Sequence, residues 1–288
     1  MREVIRNVGF DAVAPGQKAS TRIPTDRRYF AMILKPTFGN NDTTRATVEA
    51  GIEDIELLYN GQVILQHSAA QLLYMNRING QTNADGTENP YNKFGYRNSL
   101  PIYFANPWQA TVQGEEVNSL GTQGMNGDLR LNVKLAAGCV NPKLDLFLVF
   151  TYANRAPGRV MRKIRQSINV AQAGQYDLNT LRVGPTYSRI HFFSPLVTEL
   201  EVFALGRRPA IYTKANLPAL VNPYGMGVEN NAFTAPFDFT QQLSDAFPTV
   251  TPNGAGLQDL NMKLTIGGTA GTSQAIPFIS EIREELVL

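Results

Sequence analysis

The chain is written twice. Met1-Arg2-Glu3-Val4-Ile5-Arg6-Asn7 returns, with one deletion, as Met161-Arg162-Lys163-Ile164-Arg165-Gln166. Gly16-Gln17 returns as Gly174-Gln175, and Tyr29 as Tyr187, both at an offset of 158. Ile52-Glu53-Asp54-Ile55-Glu56-Leu57 matches Val197-Thr198-Glu199-Leu200-Glu201-Val202 at an offset of 145, which also sets Gly61 on Gly206, Ala70 on Ala215 and Leu72 on Leu217. Pro101-Ile102-Tyr103-Phe104 matches Pro236-Phe237-Asp238-Phe239 at 135. Leu131-Asn132-Val133-Lys134-Leu135 matches Leu260-Asn261-Met262-Lys263-Leu264 at 129, with Gly138 on Gly267 and Val149 on Phe278. The blocks are collinear, and the offset falls steadily because the second copy has shorter loops, where deletions are tolerated. The expectation is one fold made twice, over residues 1–158 and 159–288.

Each copy reads as β. Short runs of β-branched and aromatic residues alternate with Gly, Pro and Asn clusters, the pattern of an all-β sandwich. In the first copy the expected strands are 19–23, 29–35, 52–59, 63–66, 102–105, 129–135 and 144–152. Leu129, Leu131, Val133 and Leu135 are separated by Arg130, Asn132 and Lys134, so one face is buried and the other is wet. Asn60-Gly61 predicts a two-residue type I′ hairpin, which needs positive φ at both positions. Ser68 as N-cap, the apolar spacing of Ala69 to Met75 and the stop at Asn79-Gly80 predict a helix. Residues 79–99 and 113–128 have no period and read as long loops. Seven or eight strands per copy suffice for two packed sheets, so the expected fold is all-β: two tandem jelly-roll β-sandwiches with short helices in the loops.

The chemistry is sparse. One cysteine, Cys139, excludes an intramolecular disulfide and any Cys-based metal cluster within one chain. His67 and His191 are not paired in sequence and read as structural histidines. No Gly-x-Ser-x-Gly or phosphate-cradling loop is present. The carboxylates open to acid–base work are Glu115, Glu116, Asp128 and Asp145, while Glu53, Asp54, Glu56, Glu281, Glu284 and Glu285 read as wet strand faces or a tail. No cofactor is implied. A structural calcium ion is weighed only at Asp85-Gly86-Thr87-Glu88, which offers oxygen ligands without EF-hand spacing. Net charge is +2, with no excess for sequence-specific nucleic-acid binding. No apolar run approaches the ~18–20 residues that span a bilayer, and the N-terminus lacks a secretory h-region, so a soluble, non-secreted product is expected. The one charge cluster is Arg155, Arg159, Arg162, Lys163 and Arg165 at the junction, and Arg2 and Arg6 begin the first copy in the equivalent place. They suit anionic phospholipid headgroups or packaged nucleic acid.

The two collinear rolls, the basic N-terminus, the Gly16-Gln17…Ile23-Pro24 opening, the hairpin at Gly61 and the long loops after corresponding strands resemble the double jelly-roll major capsid proteins. The compact form in corticoviruses and similar membrane-containing icosahedral bacteriophages is the nearest type. The resemblance implies a structural protein and not an enzyme, assembled in the host cytoplasm into the virion. Three subunits would form a pseudo-hexagonal capsomer, with neighbouring capsomers, penton or minor capsid proteins and virion membrane proteins as partners. It implies that loops 79–99, 113–128, 221–235 and 241–257 face outward, with Asp85, Tyr91, Phe94, Tyr96 and Tyr224 as outer-surface candidates. Arg2, Arg6, Arg162, Lys163 and Arg165 would then face an internal membrane or the genome. Composition is compatible: only 17% of residues are charged, against roughly 25% in ordinary soluble domains, which keeps the desolvation cost of broad lateral contacts small. Two other readings are weighed. A carbohydrate-binding adhesin or spike would expose aromatic platforms, and the chain has one Trp, Trp108. A two-jelly-roll glycan amidase would need a carboxylate pair in a cleft and an export signal.

Overall fold

A computed structural model of the chain describes residues 2–39, 44–79, 99–109, 111–204, 206–238, 240, 245–257, 259–268 and 274–286. The chain divides into two compact units: Met1–Asn76 with Lys93–Ile164 and Glu285–Leu288, and Arg77–Asn92 with Arg165–Glu284.

The strands of the first unit are β1 (Glu3–Arg6), β2 (Lys18–Arg22), β3 (Arg28–Thr37), β4 (Ile52–Tyr59), β5 (Gln62–His67), β6 (Leu100–Tyr103), β7 (Leu129–Leu135) and β8 (Lys143–Thr151), with helices α1 (Arg45–Gly51), α2 (Ala69–Arg77) and α3 (Val112–Glu116) between them. They form two antiparallel sheets in the orders β1-β8-β3-β6 and β2-β7-β4-β5. This is a jelly roll, and its two inner faces close on one core. Strict alternation supplies that core: β8 buries Leu144, Leu146, Leu148 and Phe150 and leaves the residues between them half-buried. Ile55 and Leu57 of β4 and Leu131 and Val133 of β7 join the same cluster. Each such side chain taken wholly from water contributes roughly 1.5–3 kcal/mol. In this unit residues 159–164 run parallel to β5, with Leu65 opposite Lys163.

The second unit uses β9 (Arg159–Val170), β10 (Gly174–Asp177), β11 (Thr186–Phe192), β12 (Val197–Ala204), β13 (Arg207–Thr213), β14 (Phe233–Pro236), β15 (Phe247–Pro248), β16 (Asn261–Ile266) and β17 (Gln274–Glu285), with the short helix α4 (Leu217–Val221). Its sheets run β9-β17-β11-β14 and β10-β16-β12-β13, with β15 added to β11. Without β15, the order is that of the first unit strand for strand. The Phe192 ring lies 5.4 Å from that of Phe278 and 6.2 Å from that of Phe233, in the core. The 158/159 division drawn from the repeat falls at the start of β9, whose first half lies with the first unit.

Equivalences persist in detail. Tyr29 and Tyr187 are both buried, and each is followed by a register shift in the pairing of its strand. β4 and β12 both open on a bulge, between Ile52 and Asp54 and between Val197 and Glu199. Three of the sequence matches are corrected by the pairing. Leu34 faces Leu100, and its counterpart Phe192 faces Phe233, so Pro101 does not correspond to Pro236; that match is two residues out. Leu57 faces Leu131, and its counterpart Val202 faces Met262, so the Leu131/Leu260 match is also two residues out. Val149 faces Ala31 and Glu281 faces Arg189, so Val149 corresponds to Glu281 and not to Phe278. A slide of two residues preserves the in/out alternation of a strand, so the pattern by itself does not detect it.

Candidate assembly surfaces

β1 is a short strand at the edge of its sheet, and two arginines, Arg2 just before it and Arg6 at its end, are held by distant carboxylates. Arg2 donates to Glu115 Oε1 at 2.7 Å and to Glu116 Oε1 at 3.3 Å, and its guanidinium lies 4.4 Å from the Phe30 ring centroid. The hydrogen bond to Glu115 raises the pKa of Arg2, outweighing partial burial. Arg28 adds a second cation to Glu116 at 3.2 Å. Arg6 pairs with Asp145 on the neighbouring strand β8. These pairs are partly solvent-exposed, worth about 0–1 kcal/mol each, and they position the strand more than they stabilise it.

All four carboxylates weighed for acid–base work are therefore arginine counter-ions. Glu115 and Glu116 serve Arg2 and Arg28, Asp145 serves Arg6, and Asp128 lies 2.9 Å from Arg130 and 3.7 Å from Arg22. Arg155 is a structural clamp: it donates to the carbonyls of Glu116, Val117 and Ser119 and so fixes the turn after α3, and desolvation lowers its pKa.

The basic residues of β9 do not form one patch. Alternation sets Arg162 on one face of the strand and Lys163 and Arg165 on the other. Arg162 Nε donates to the Val63 carbonyl at 2.8 Å, so part of its hydrogen-bonding capacity goes to β5. Of the outer-surface candidates, Tyr224 ends a 3-10 turn (Asn222–Tyr224) and is 45% exposed, just before Gly225 at φ +75°. Asp85, Tyr91, Phe94 and Tyr96, and the calcium candidate at 85–88, lie outside the described residues. Among the described residues no group of three or more His, Cys, Asp and Glu is placed to hold a metal ion. Cys139 is a half-buried free thiol whose pKa is raised, chiefly by burial.

The exposed apolar side chains are informative. Val4 and Val8 project from β1 and the segment after it, 61% and 83% exposed, and Ile211 projects from β13, the edge strand of its sheet, 39% exposed. Sequence reasoning passed over these because a lone Val or Ile in a β-rich stretch reads as core.

It also missed a buried polar network on β11. Arg189 donates to both oxygens of Asp238, at 2.8 and 3.2 Å, and to Asn79 Oδ1 at 2.6 Å. His191 Nδ1 is 2.9 Å from Thr234 Oγ1, and its Nε2 is 3.7 Å from Glu281. Burial, with Glu281 nearby, raises the Asp238 pKa to about 6 despite the arginine. The only local signal was Arg189 and His191 alternating with Ile190 and Phe192.

Two family models match the chain in order: the viral coat protein P2 N-terminal domain over residues 4–150 and its C-terminal domain over residues 160–285. A search of curated protein sequences gives no match. Among solved structures the chain is similar to the major capsid protein P2 from bacteriophage PM2, at 17% identity and TM-score 0.79, covering 98% of this chain and 97% of that one. It is also similar to the PBCV-1 virus capsid, at 15% identity and TM-score 0.61, covering 98% and 93%. A third is Sulfolobus turreted icosahedral virus, at 13% and 0.63, covering 98% and 90%. At these identities the structural likeness is one of fold, a double jelly roll. With both domain models matched in order and the same eight-strand roll built twice, the chain belongs to the viral coat protein P2 family: it is a major capsid protein, a structural component of the virion and not an enzyme.

Proposed function

We propose that the protein works as a trimer whose six rolls form a pseudo-hexagonal capsomer, and that such capsomers tile an icosahedral shell over an internal lipid membrane. One observation carries the reading: both halves of the chain build the same pair of sheets in the same strand order. Three duplicated chains around a three-fold axis present six similar rolls, so near-six-fold packing comes from a closed three-chain ring. Minor capsid or penton proteins and membrane proteins fill the remaining positions of the shell, and assembly takes place in the host cytoplasm. Light scattering is expected to give a mass near three times 31.7 kDa, and negative-stain images a hexagonal outline. A monomer at high concentration would count against the trimer.

On this reading the outer surface includes the loop around Tyr224, and Arg2, Arg6, Arg162, Lys163 and Arg165 serve the inner, anionic side. Lys163 and Arg165 share one face of β9, so they are probed together. Reversing both to Glu should weaken binding to anionic vesicles, and more so at low salt, while leaving trimers intact. Adding Arg162→Glu also removes its bond to Val63, so the double variant is the cleaner probe. Unchanged vesicle binding would remove the membrane-facing assignment.

A further inference from the structure

The two copies of the roll are treated unequally at one edge. In the first unit the outer edge of β5 is taken by β9, which pairs with it in parallel at Leu65 opposite Lys163 and donates from Arg162 Nε to the Val63 carbonyl. The counterpart of β5 is β13, because Leu57 pairs with Leu65 as Val202 pairs with Ala210. β13 ends its sheet, and among the described residues nothing pairs with its outer edge. A bare edge is a template for another strand, and Ile211 projects from this one.

The chain contains one segment of the right kind to cover it. The stretch that covers β5 begins the second copy, and its counterpart at the start of the first copy is β1, with Arg2 on Arg162 and Glu3 on Lys163. β1 also ends its sheet: one side pairs with β8, and among the described residues the other side pairs with nothing. Carrying the Leu65–Lys163 register across sets Glu3 opposite Ala210 and Val4 opposite Ile211. That register brings together two exposed apolar side chains, and the contact would take both from water.

We propose that β1 of one copy adds in parallel to the outer edge of β13 in a neighbouring copy, with Val4 against Ile211, and that this strand addition joins the chains of the capsomer. The proposal rests on the trimer reading above and names its contact. Each chain offers one β1 and one β13, so the contact is head-to-tail and closes when three chains complete a ring.

The test is a Val4→Cys, Ile211→Cys variant in a Cys139→Ser background, with the two single-cysteine variants as controls. Adjacent strands lie about 4.8 Å apart, within the span a disulfide bridges. Mild oxidation is expected to give reductant-sensitive two- and three-chain species with no ladder beyond three, and none of the three-chain species from the controls. Trimers by light scattering whose oxidised chains stay single, unlinked or internally bridged, would overturn the strand addition and leave the trimer standing. A monomeric parent protein would overturn both. As a check without cysteines, Ile211→Lys charges an exposed edge position and should leave the circular dichroism spectrum unchanged while raising the trimer dissociation midpoint about tenfold or more. An unmoved midpoint would overturn the proposal.

Discussion

Tyr29 and Tyr187 make the same bond in the two rolls. Tyr29 Oη donates to the Pro24 carbonyl at 2.6 Å and Tyr187 Oη to the Arg182 carbonyl at 2.9 Å, each five residues back. Tyr187 Oη also accepts from the Arg182 N–H at 2.8 Å. Burial pushes both phenols well above their ordinary pKa, Tyr187 to about 12, so both stay protonated donors. Tyr29→Phe should cost about 0.5–1.5 kcal/mol, and Tyr187→Phe more, about 1–3, because the Arg182 N–H loses its acceptor as well. Urea midpoints of the two variants check the ranking, and equal costs would refute it. Asp238 makes a second prediction. Its pKa of about 6 in the fold exceeds the ordinary 3.8, so the folded state holds this proton more tightly than the unfolded chain. The resulting stabilisation is complete below about pH 4 and is lost as pH rises through about 6. The groups facing it are Arg189, which favours the carboxylate, and Glu281, which opposes it. Asp238→Asn should therefore flatten the pH dependence of stability between about pH 4 and 7, measured by thermal melts; an unchanged slope would assign that dependence to other groups.

Local chemistry decided the elements that sequence reading found. Asn60 and Gly61 both have positive φ, +47° and +82°, and Tyr59 pairs directly with Gln62 across the turn, as a type I′ hairpin requires. Asn60 does more than tolerate that backbone: its Oδ1 accepts the Asp128 N–H at 2.9 Å, tying the hairpin to the residue that leads into β7. Asn60→Gly keeps the turn and loses that bond, whereas Asn60→Ala loses the bond and adds backbone strain. The expected order of stability is wild type, then Gly, then Ala, with the last step about 1 kcal/mol. A calorimetric series showing Ala no worse than Gly would contradict it. Before α2, the Ser68 N–H donates to Gln71 Oε1 at 2.9 Å and the Gln71 N–H to Ser68 Oγ at 3.2 Å, a reciprocal cap read only half-way from Ser68 alone. α1 and α3 escaped because they are only 7 and 5 residues long, too short to show a helical period.

At the scale of the molecule, neither compact unit is a contiguous piece of chain. Ile78, beyond α2, is buried within the second unit, where its carbonyl accepts the Gly227 N–H at 2.7 Å, and the neighbouring Arg77 pairs with Glu229. Leu286, near the other end, belongs to the core cluster of the first unit. A chain cut between residues 158 and 159 therefore gives two fragments that each lack part of a core. Expressed singly, each is expected to bind a hydrophobic dye and to aggregate, while co-expression restores a stable two-fragment protein. Two soluble, dye-negative single fragments would show that the exchanged segments contribute little.

What is set within a few residues was legible from the chain alone: the strand faces, the Asn60-Gly61 turn, the start of α2, and the fact that one pattern is written twice. These follow from side-chain alternation and backbone preferences, which need no distant partner. Tertiary structure alone decided what is set between distant residues: the true register of the repeat at β6/β14 and β7/β16, the capture of Arg2 by carboxylates more than a hundred positions away, and the buried network of Arg189, Asp238 and Asn79. A strand slid by two residues shows the same faces, and an arginine carries no mark of which acid it will meet. Which partner wins depends on the packing of whole sheets against one another, a property of the folded chain.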